Sequence, residues 1–293
     1  MKKHTVLFSS FLVLIYLAFS LNASSEDRWR DFNKKVGDIK VRYLQAGSGD
    51  RTLLFIPGWT MTAEIWREQI PYFSARGFRV IALDPRSQGR TSKTDSGNTY
   101  QQQAADLHAF LQELNIEQFY LVGWGSGAAV ILEFVYSSET YPPEKIVFVD
   151  GSPAGLKSED YPGSISVQEA RKLLFGLQVD RGKTTEQLVR SMFEAPQPEW
   201  LIKDIVEDSL RTPIGAAVSL YADYFLGDRR PALASIAAPC LIMATRDTQA
   251  VAEYMQSKIL RPELKVIDGA GSAMFLDKPQ AFNQALESFL GKY

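Results

Sequence analysis

The chain has few of the residues that build metal centres and disulfides. Its 293 residues include two histidines, His4 and His108, and one cysteine, Cys240. Two imidazoles and one thiol do not make the usual ligand set of a zinc site. A single cysteine also rules out a disulfide within the chain. We therefore expect neither a metal centre nor a disulfide framework.

The chain also has no large excess of positive or negative charge. Lys and Arg together number 32 and Asp and Glu 34, which gives a net charge of −2, and no stretch concentrates the basic residues. This balance gives no basis for binding nucleic acid. Hydrophobic residues at 45% and charged residues at 23% describe a globular protein with ample core.

The beginning of the chain has the pattern of a secretory signal peptide. Lys2 and Lys3 precede an apolar run over residues 6–21, and small residues around Ala23 suit cleavage. A membrane anchor would need a longer uninterrupted apolar span. We expect residues 1–23 to be removed and the mature protein to be exported, periplasmic or secreted, with no membrane partner.

Short apolar runs then alternate with helical patterns. Strands are predicted at residues 52–56, 145–149 and 240–244, and helices at 63–76 and 100–114. This alternation predicts an α/β fold with a mostly parallel central sheet and helices on both of its faces.

The alternation stops between residues 153 and 230, where only amphipathic segments occur. Aromatic residues that need burial, Trp200, Tyr221, Tyr224 and Phe225, indicate a helical insertion rather than a linker. We therefore expect a core domain in two parts, residues 24–152 and 233–293, with a helical insertion at 153–232.

The central stretch, residues 119–134, joins an apolar run to a helical pattern through Gly123, Gly125 and Gly127. A strand, tight turn and helix follow from this pattern. Unpaired N–H groups at such a helix N-terminus attract negative charge. One chemistry that uses the turn is the nucleophile elbow, Gly-x-Ser-x-Gly. The flanking glycines fit, but the centre is Gly125, and Ser126 lies one position late.

The same glycines also satisfy a loose dinucleotide fingerprint, Gly123-x-Gly125-x-x-Ala128. Asp150, which ends the next apolar run, matches the acidic residue of that pattern. The fingerprint normally opens the first strand–helix unit, whereas here it follows the fifth predicted strand. Dinucleotide binding is thus the alternative from another functional class.

Four motifs in order resemble the α/β-hydrolase superfamily, in particular its capped, esterase- and haloperoxidase-like members. Besides the elbow, they are Pro57-Gly58-Trp59, the segment from Asp84 to Ser92, and the segment from Gly269 to Pro279. The resemblance implies an α/β-hydrolase fold whose helical insertion is the cap. It also implies a small-molecule ester or acyl ligand and no cofactor.

The resemblance places the catalytic serine at position 125 and the catalytic histidine at position 272, where this chain has Gly125 and Ser272. For the acid it leaves two candidates, Asp247 and Asp150. Acyl hydrolysis needs a nucleophile, a base and an orienting acid. We therefore expect a hydrolase scaffold with a degenerate catalytic triad and impaired hydrolysis, either a pseudoenzyme or an inactivated variant.

Other parts of the implied site depend on backbone or apolar groups. The backbone N–H groups of Trp59 and Ser126 are the expected oxyanion hole. Trp124, Trp200 and Tyr224 are the expected lining of the substrate pocket. A remaining alternative is an active exported carboxylic-ester hydrolase with a non-standard site. Ser126 would then be the nucleophile, although Trp124 is too large for the position two residues before it.

Overall fold

Eight strands form one sheet in the computed structural model, which describes residues 29–137 and 141–292. The strands are β1 (Arg30–Val36), β2 (Ile39–Ala46), β3 (Thr52–Ile56), β4 (Arg79–Leu83), β5 (Phe119–Trp124), β6 (Lys145–Val149), β7 (Cys240–Ala244) and β8 (Pro262–Val266). Their order is β1-β2-β4-β3-β5-β6-β7-β8. β2 pairs antiparallel with β1 and β4, and all other neighbours are parallel. The predicted mostly parallel sheet is confirmed. The proposed signal peptide lies outside the described residues.

Helices cover both faces of this sheet. The helices of the described chain are α1 (Gln69–Ser74), α2 (Tyr100–Glu113), α3 (Gly127–Ser137), α4 (Val167–Val179), α5 (Arg181–Ser191), α6 (Glu199–Leu210), α7 (Ile214–Leu226), α8 (Gln249–Gln256), α9 (Met274–Asp277) and α10 (Pro279–Leu290). One core layer joins the sheet to α2, α3 and α8, and the other joins it to α1 and α10. Strands β3, β5, β6 and β7 are buried throughout. Burial on both faces explains their continuous apolar sequences.

The helix predicted at residues 63–76 is instead a 3₁₀ turn, Ala63–Trp66, followed by the short helix α1. Pro71 lies in the first turn of α1. A proline deeper within one long helix would lose a hydrogen bond and clash with the preceding turn. The prediction of a single helix was wrong because it ignored this residue.

Four helices, α4 to α7, lie between β6 and β7 in the region of the expected cap. The sequence patterns pointed to three of them. The fourth, α7, was missed because it is apolar along most of its length and shows little contrast between faces. No helix in the described ranges is both long and apolar enough to span a membrane.

The register of the strands brings the candidate motifs to one edge. Ile56 at the end of β3 pairs with Gly123 in β5, and Trp124 pairs with Val149 in β6. Val149 in turn pairs with Met243 in β7. The loops after these four strands therefore emerge side by side at the carboxyl edge of the sheet, where α/β folds bind their ligands.

Candidate active site

The turn between β5 and α3 has the backbone of a nucleophile elbow. Gly125 has φ +53°, in the left-handed region that residues with side chains rarely occupy. Its N–H donates to the carbonyl of Val149 at 2.9 Å, and its carbonyl accepts from the N–H of Ala128 at 3.1 Å. Position 125 is thus fixed at the tip of a sharp turn that leads into α3.

The three glycines of the elbow differ in the space around them. A Cβ atom at Gly123 would lie 2.7 Å from the backbone of Gly127, and one at Gly127 would lie 2.6 Å from the carbonyl oxygen of Ile56. A Cβ atom at Gly125 meets only the Cα of Gly58, at 4.0 Å. Close packing therefore requires the flanking glycines, whereas the central position has room for a side chain.

A cavity of about 250 Å³ lies between the elbow and helices α4 to α7. We call it the cap cavity. Its walls are mostly apolar, and the cap supplies residues such as Leu173, Leu188 and Met192. Six of the site residues expected from the sequence line it, namely Trp59, Trp124, Gly125, Ser126, Tyr224 and Ser272.

The loop after β3, which carries the first candidate oxyanion donor, is held by the segment after β4. Gln88 accepts from the backbone N–H of Thr60 at 2.8 Å and donates to the carbonyl of Met61 at 3.2 Å. Asp84 accepts from the N–H of Ala63 at 2.7 Å. These bonds fix Thr60 at φ +61° directly after Trp59. The role of Gln88 was missed in the sequence, although it lies within a motif that we recognised.

The two candidate oxyanion donors remain available to a ligand. Within the described chain, the backbone N–H groups of Trp59 and Ser126 donate to no backbone carbonyl. Both residues line the cap cavity. The indole of Trp59 is anchored to the cap, since its Nε1 donates to the carbonyl of Ala217 at 2.8 Å.

At the position expected for the histidine, Ser272 lies beside both the elbow and a buried acid. Trp124 Nε1 donates to its carbonyl at 3.0 Å and to its hydroxyl at 3.2 Å. Asp150 Oδ1 accepts from Thr248 Oγ1 at 2.5 Å. Burial raises the pKa of Asp150, and hydrogen bonds from the hydroxyls of Thr248 and Ser272 partly oppose this rise. Asp247, the other candidate acid, is exposed on the loop after β7. The structure therefore brings Asp150, rather than Asp247, to Ser272.

Comparison with known proteins agrees with this geometry. Residues 53–285 match the model of the alpha/beta hydrolase family. The chain belongs to the alpha/beta hydrolase family. It is 25% identical over 248 residues to the AB hydrolase superfamily protein YisY of Bacillus subtilis, covering 82% of this chain and 91% of that protein. It is also 25% identical over 267 residues to a non-heme chloroperoxidase of Kitasatospora aureofaciens, covering 87% and 97%.

Solved structures show the same fold. An esterase from Exiguobacterium antarcticum superimposes with a TM-score of 0.85 at 22% identity, over 90% of this chain and all of that one. The α/β-hydrolase fold expected from the motifs is thus confirmed.

One expected pocket residue lies elsewhere in this hydrolase-family chain. Trp200, near the start of α6, is 60% exposed, and the guanidinium of Arg67 lies 5.8 Å from its ring centre. It is absent from the described lining of the cap cavity. The prediction was wrong because an aromatic residue on an amphipathic cap helix need not face the sheet, and sequence alone did not orient α6.

His108, the single histidine of the described chain, lies away from the site. It is in the middle of α2, with its ring 6.0 Å from Phe134 and 5.4 Å from Tyr141. Its Nδ1 is buried without a hydrogen-bond partner in the described chain. No histidine among the described residues lines the cap cavity.

The dinucleotide alternative gains no support from the fold. Gly123 serves the close approach of α3 to β5, and Gly127 serves that of α3 to the end of β3. Asp150, which would have to bind a ribose, already engages hydroxyl groups at the hydrolase site.

Proposed function

We propose that this chain binds a small, fairly apolar ester or acyl compound in the cap cavity and hydrolyses it poorly. One observation carries the proposal. Position 125 has the turn, the space and the neighbouring donors of a catalytic serine, and its residue is Gly125. Ser272 holds the position of the base, beside Asp150. The chain thus has the binding elements of an ester hydrolase without the groups that transfer the acyl group and the proton.

The expected loss of activity is large. Removing a triad serine or histidine costs about 10⁶-fold in turnover in a serine hydrolase, while an oxyanion hole and binding alone leave about 10³-fold or more over water. The N–H groups of Trp59 and Ser126 support this residual activity, because backbone donors survive changes of side chain.

The test is hydrolysis of a panel of p-nitrophenyl esters with short aliphatic and aryl acyl groups. Four proteins are compared, the chain itself, Gly125→Ser, Ser272→His and the double variant. We expect only the double variant to gain at least about 10³-fold in kcat/KM, because nucleophile and base act as a unit. If the unchanged chain already matches the double variant, the proposal fails and the non-standard Ser126 site becomes the explanation.

The catalytic acid can be assigned in the Gly125→Ser, Ser272→His double variant. We propose that Asp150 would orient a histidine at position 272, since the Ser272 hydroxyl lies near enough to its carboxyl to lower the pKa of Asp150. Added to the double variant, Asp150→Asn should lower kcat by about 10⁴-fold, the cost of losing this carboxylate in a serine protease. Asp247→Asn is the matched control, which we expect to lower it less than about tenfold. The reverse order would assign the acid to Asp247.

A further inference from the structure

The loop that carries Ser272, residues 269–273, is held from two sides, and we call it the Ser272 loop. On one side Trp124 Nε1 donates to the carbonyl of Ser272 at 3.0 Å. On the other side the N–H of Ala273 donates to the carbonyl of Met192 at 2.9 Å. Met192 begins the segment between α5 and α6, residues 192–198, which we call the cap turn. The backbone at position 272 therefore lies between the elbow and the cap turn.

One carboxylate joins the cap turn to the Ser272 loop. Asp277, the last residue of α9, accepts through Oδ2 from the N–H of Glu194 at 2.7 Å and from the N–H of Gly271 at 2.8 Å. Its Oδ1 accepts from Gln197 Nε2 at 3.1 Å. A carboxylate oxygen has two lone pairs, so a single atom can satisfy both backbone donors. These donors come from segments that lie about 80 residues apart in the chain.

The two segments are also in close contact at Gly271. A Cβ atom there would lie 2.4 Å from the carbonyl oxygen of Met192 and 2.8 Å from the backbone nitrogen of Glu194. Densely packed backbone atoms transmit a displacement to their neighbours. Loss of the Asp277 side chain would leave two backbone N–H groups without their acceptor, which costs free energy wherever water cannot replace it. The cap turn and the Ser272 loop would then be free to separate.

We propose that Asp277 is a positioning residue that makes the placement of position 272 depend on the cap. The proposal deepens the proposed function and rests on it, because position 272 matters there as the place of the base. The printed donors to the Asp277 side chain all lie in the cap turn or the Ser272 loop, so the carboxylate joins these segments rather than capping α9 or α10. Since Met192 lines the cap cavity, a ligand that displaces the cap turn also displaces the backbone beside position 272.

Kinetics of the Gly125→Ser, Ser272→His double variant test this role. Asp277→Ala, added to that variant, should lower kcat for p-nitrophenyl esters about 10–100-fold, because a misplacement of about 1 Å can cost about 10²-fold in rate. KM should change less than about threefold, since Asp277 is not among the described residues that line the cap cavity. An unchanged kcat, or an effect on KM alone, would overturn the proposal.

Asp277→Asn separates position from charge. The amide oxygen of asparagine can accept from the N–H groups of Glu194 and Gly271, and Gln197 can turn its own amide to accept from the new NH₂ group. We therefore expect Asp277→Asn to keep kcat within about threefold of the double variant. A loss as large as that of Asp277→Ala would show that the negative charge is what matters, and the positioning role would fail.

Asp204→Ala is the matched control. Asp204 lies on α6 and pairs at 3.7 Å with Arg67, which follows the 3₁₀ turn Ala63–Trp66. It therefore joins the cap to the core without touching the Ser272 loop. Its side chain is 52% exposed, and an exposed ion pair contributes little. We expect this substitution to change kcat less than about twofold; a loss equal to that of Asp277→Ala would assign the effect to the cap as a whole and overturn the role of Asp277.

Hydrogen exchange in the unchanged chain tests the same link without hydrolysis. Asp277→Ala should speed amide exchange at least about tenfold in peptides that cover residues 192–197 and 269–273, because the N–H groups of Glu194 and Gly271 lose their acceptor. Asp204→Ala should leave exchange in both segments unchanged. Faster exchange in only one of the two segments, or in neither, would overturn the link between them.

These outcomes separate the two proposals. If the double variant does not hydrolyse esters, the proposed function fails, and hydrogen exchange decides whether Asp277 joins the cap turn to the Ser272 loop. If the double variant is active and Asp277→Ala retains its kcat, only the positioning role is overturned. Circular dichroism of each variant checks its folding.

Discussion

Alanine substitution at each elbow glycine tests whether position 125 was built for a side chain. Gly123→Ala places a methyl group 2.7 Å from the backbone of Gly127 and from Ile131 Cδ1. Gly127→Ala places one 2.6 Å from the carbonyl oxygen of Ile56. These neighbours belong to buried central elements, and backbone atoms there have little room to retreat.

The expected loss in the free energy of unfolding differs among the three variants. Overpacking in a core costs about 1–3 kcal/mol and sometimes more, so we expect each flanking substitution to lower the free energy of unfolding by about 3 kcal/mol. At Gly125 the added Cβ has no close contact, and only the left-handed backbone penalty of about 1–2 kcal/mol remains. The lower entropy of the unfolded chain returns about 0.4–1 kcal/mol. The net cost at Gly125 should therefore be about 1.5 kcal/mol or less, roughly half that of the flanking variants.

Urea unfolding followed by tryptophan fluorescence and circular dichroism measures all three variants. The comparison is valid where the dependence on urea has the same slope for each protein. If Gly125→Ala destabilises the protein as much as the two flanking variants, position 125 has no room for a side chain. The reasoning about a missing serine would then be refuted.

Three further predictions concern the surroundings of the site. In the double variant with restored serine and histidine, Gln88→Leu should slow ester hydrolysis about tenfold or more, because Thr60 loses the acceptor that holds the oxyanion loop; unchanged kcat would contradict this. Burial raises the pKa of Asp150 in the folded protein above its unfolded value near 3.8. The free energy of unfolding should therefore fall as pH rises from that value through the folded pKa. Asp150→Asn should flatten this fall in urea titrations across pH, and a parallel curve would count against it. Trp200→Ala should change the free energy of unfolding by less than about 0.5 kcal/mol and leave ligand affinity unaltered, since the residue is 60% exposed.

Much of the sheet could be predicted from the sequence alone. Strands β3, β6 and β7 were predicted with the bounds that the structure shows, because strands buried on both faces are continuous apolar runs. Helices were less exact. Pro71 divides one of them, and α7 lacks the contrast between faces on which the prediction depended.

The site was predictable where chain order fixes it and unpredictable where packing decides. Gly125 and Ser272 follow from motif positions, and both line the cap cavity. The choice between Asp150 and Asp247 depended on which loop turns toward Ser272, and spacing along the chain does not encode that. Trp200 was misplaced for a similar reason, because composition does not orient a cap helix.

The central claim is that a sound hydrolase site lacks only its nucleophile and base. Its most direct test is intact mass after exposure to a fluorophosphonate, which bonds covalently to activated serines. The unchanged chain and the Gly125→Ser, Ser272→His variant are treated side by side. We predict one adduct on the variant, mapped to position 125, and none on the unchanged chain. An adduct on the unchanged chain would contradict the account, because it would reveal an activated serine in a chain predicted to have none.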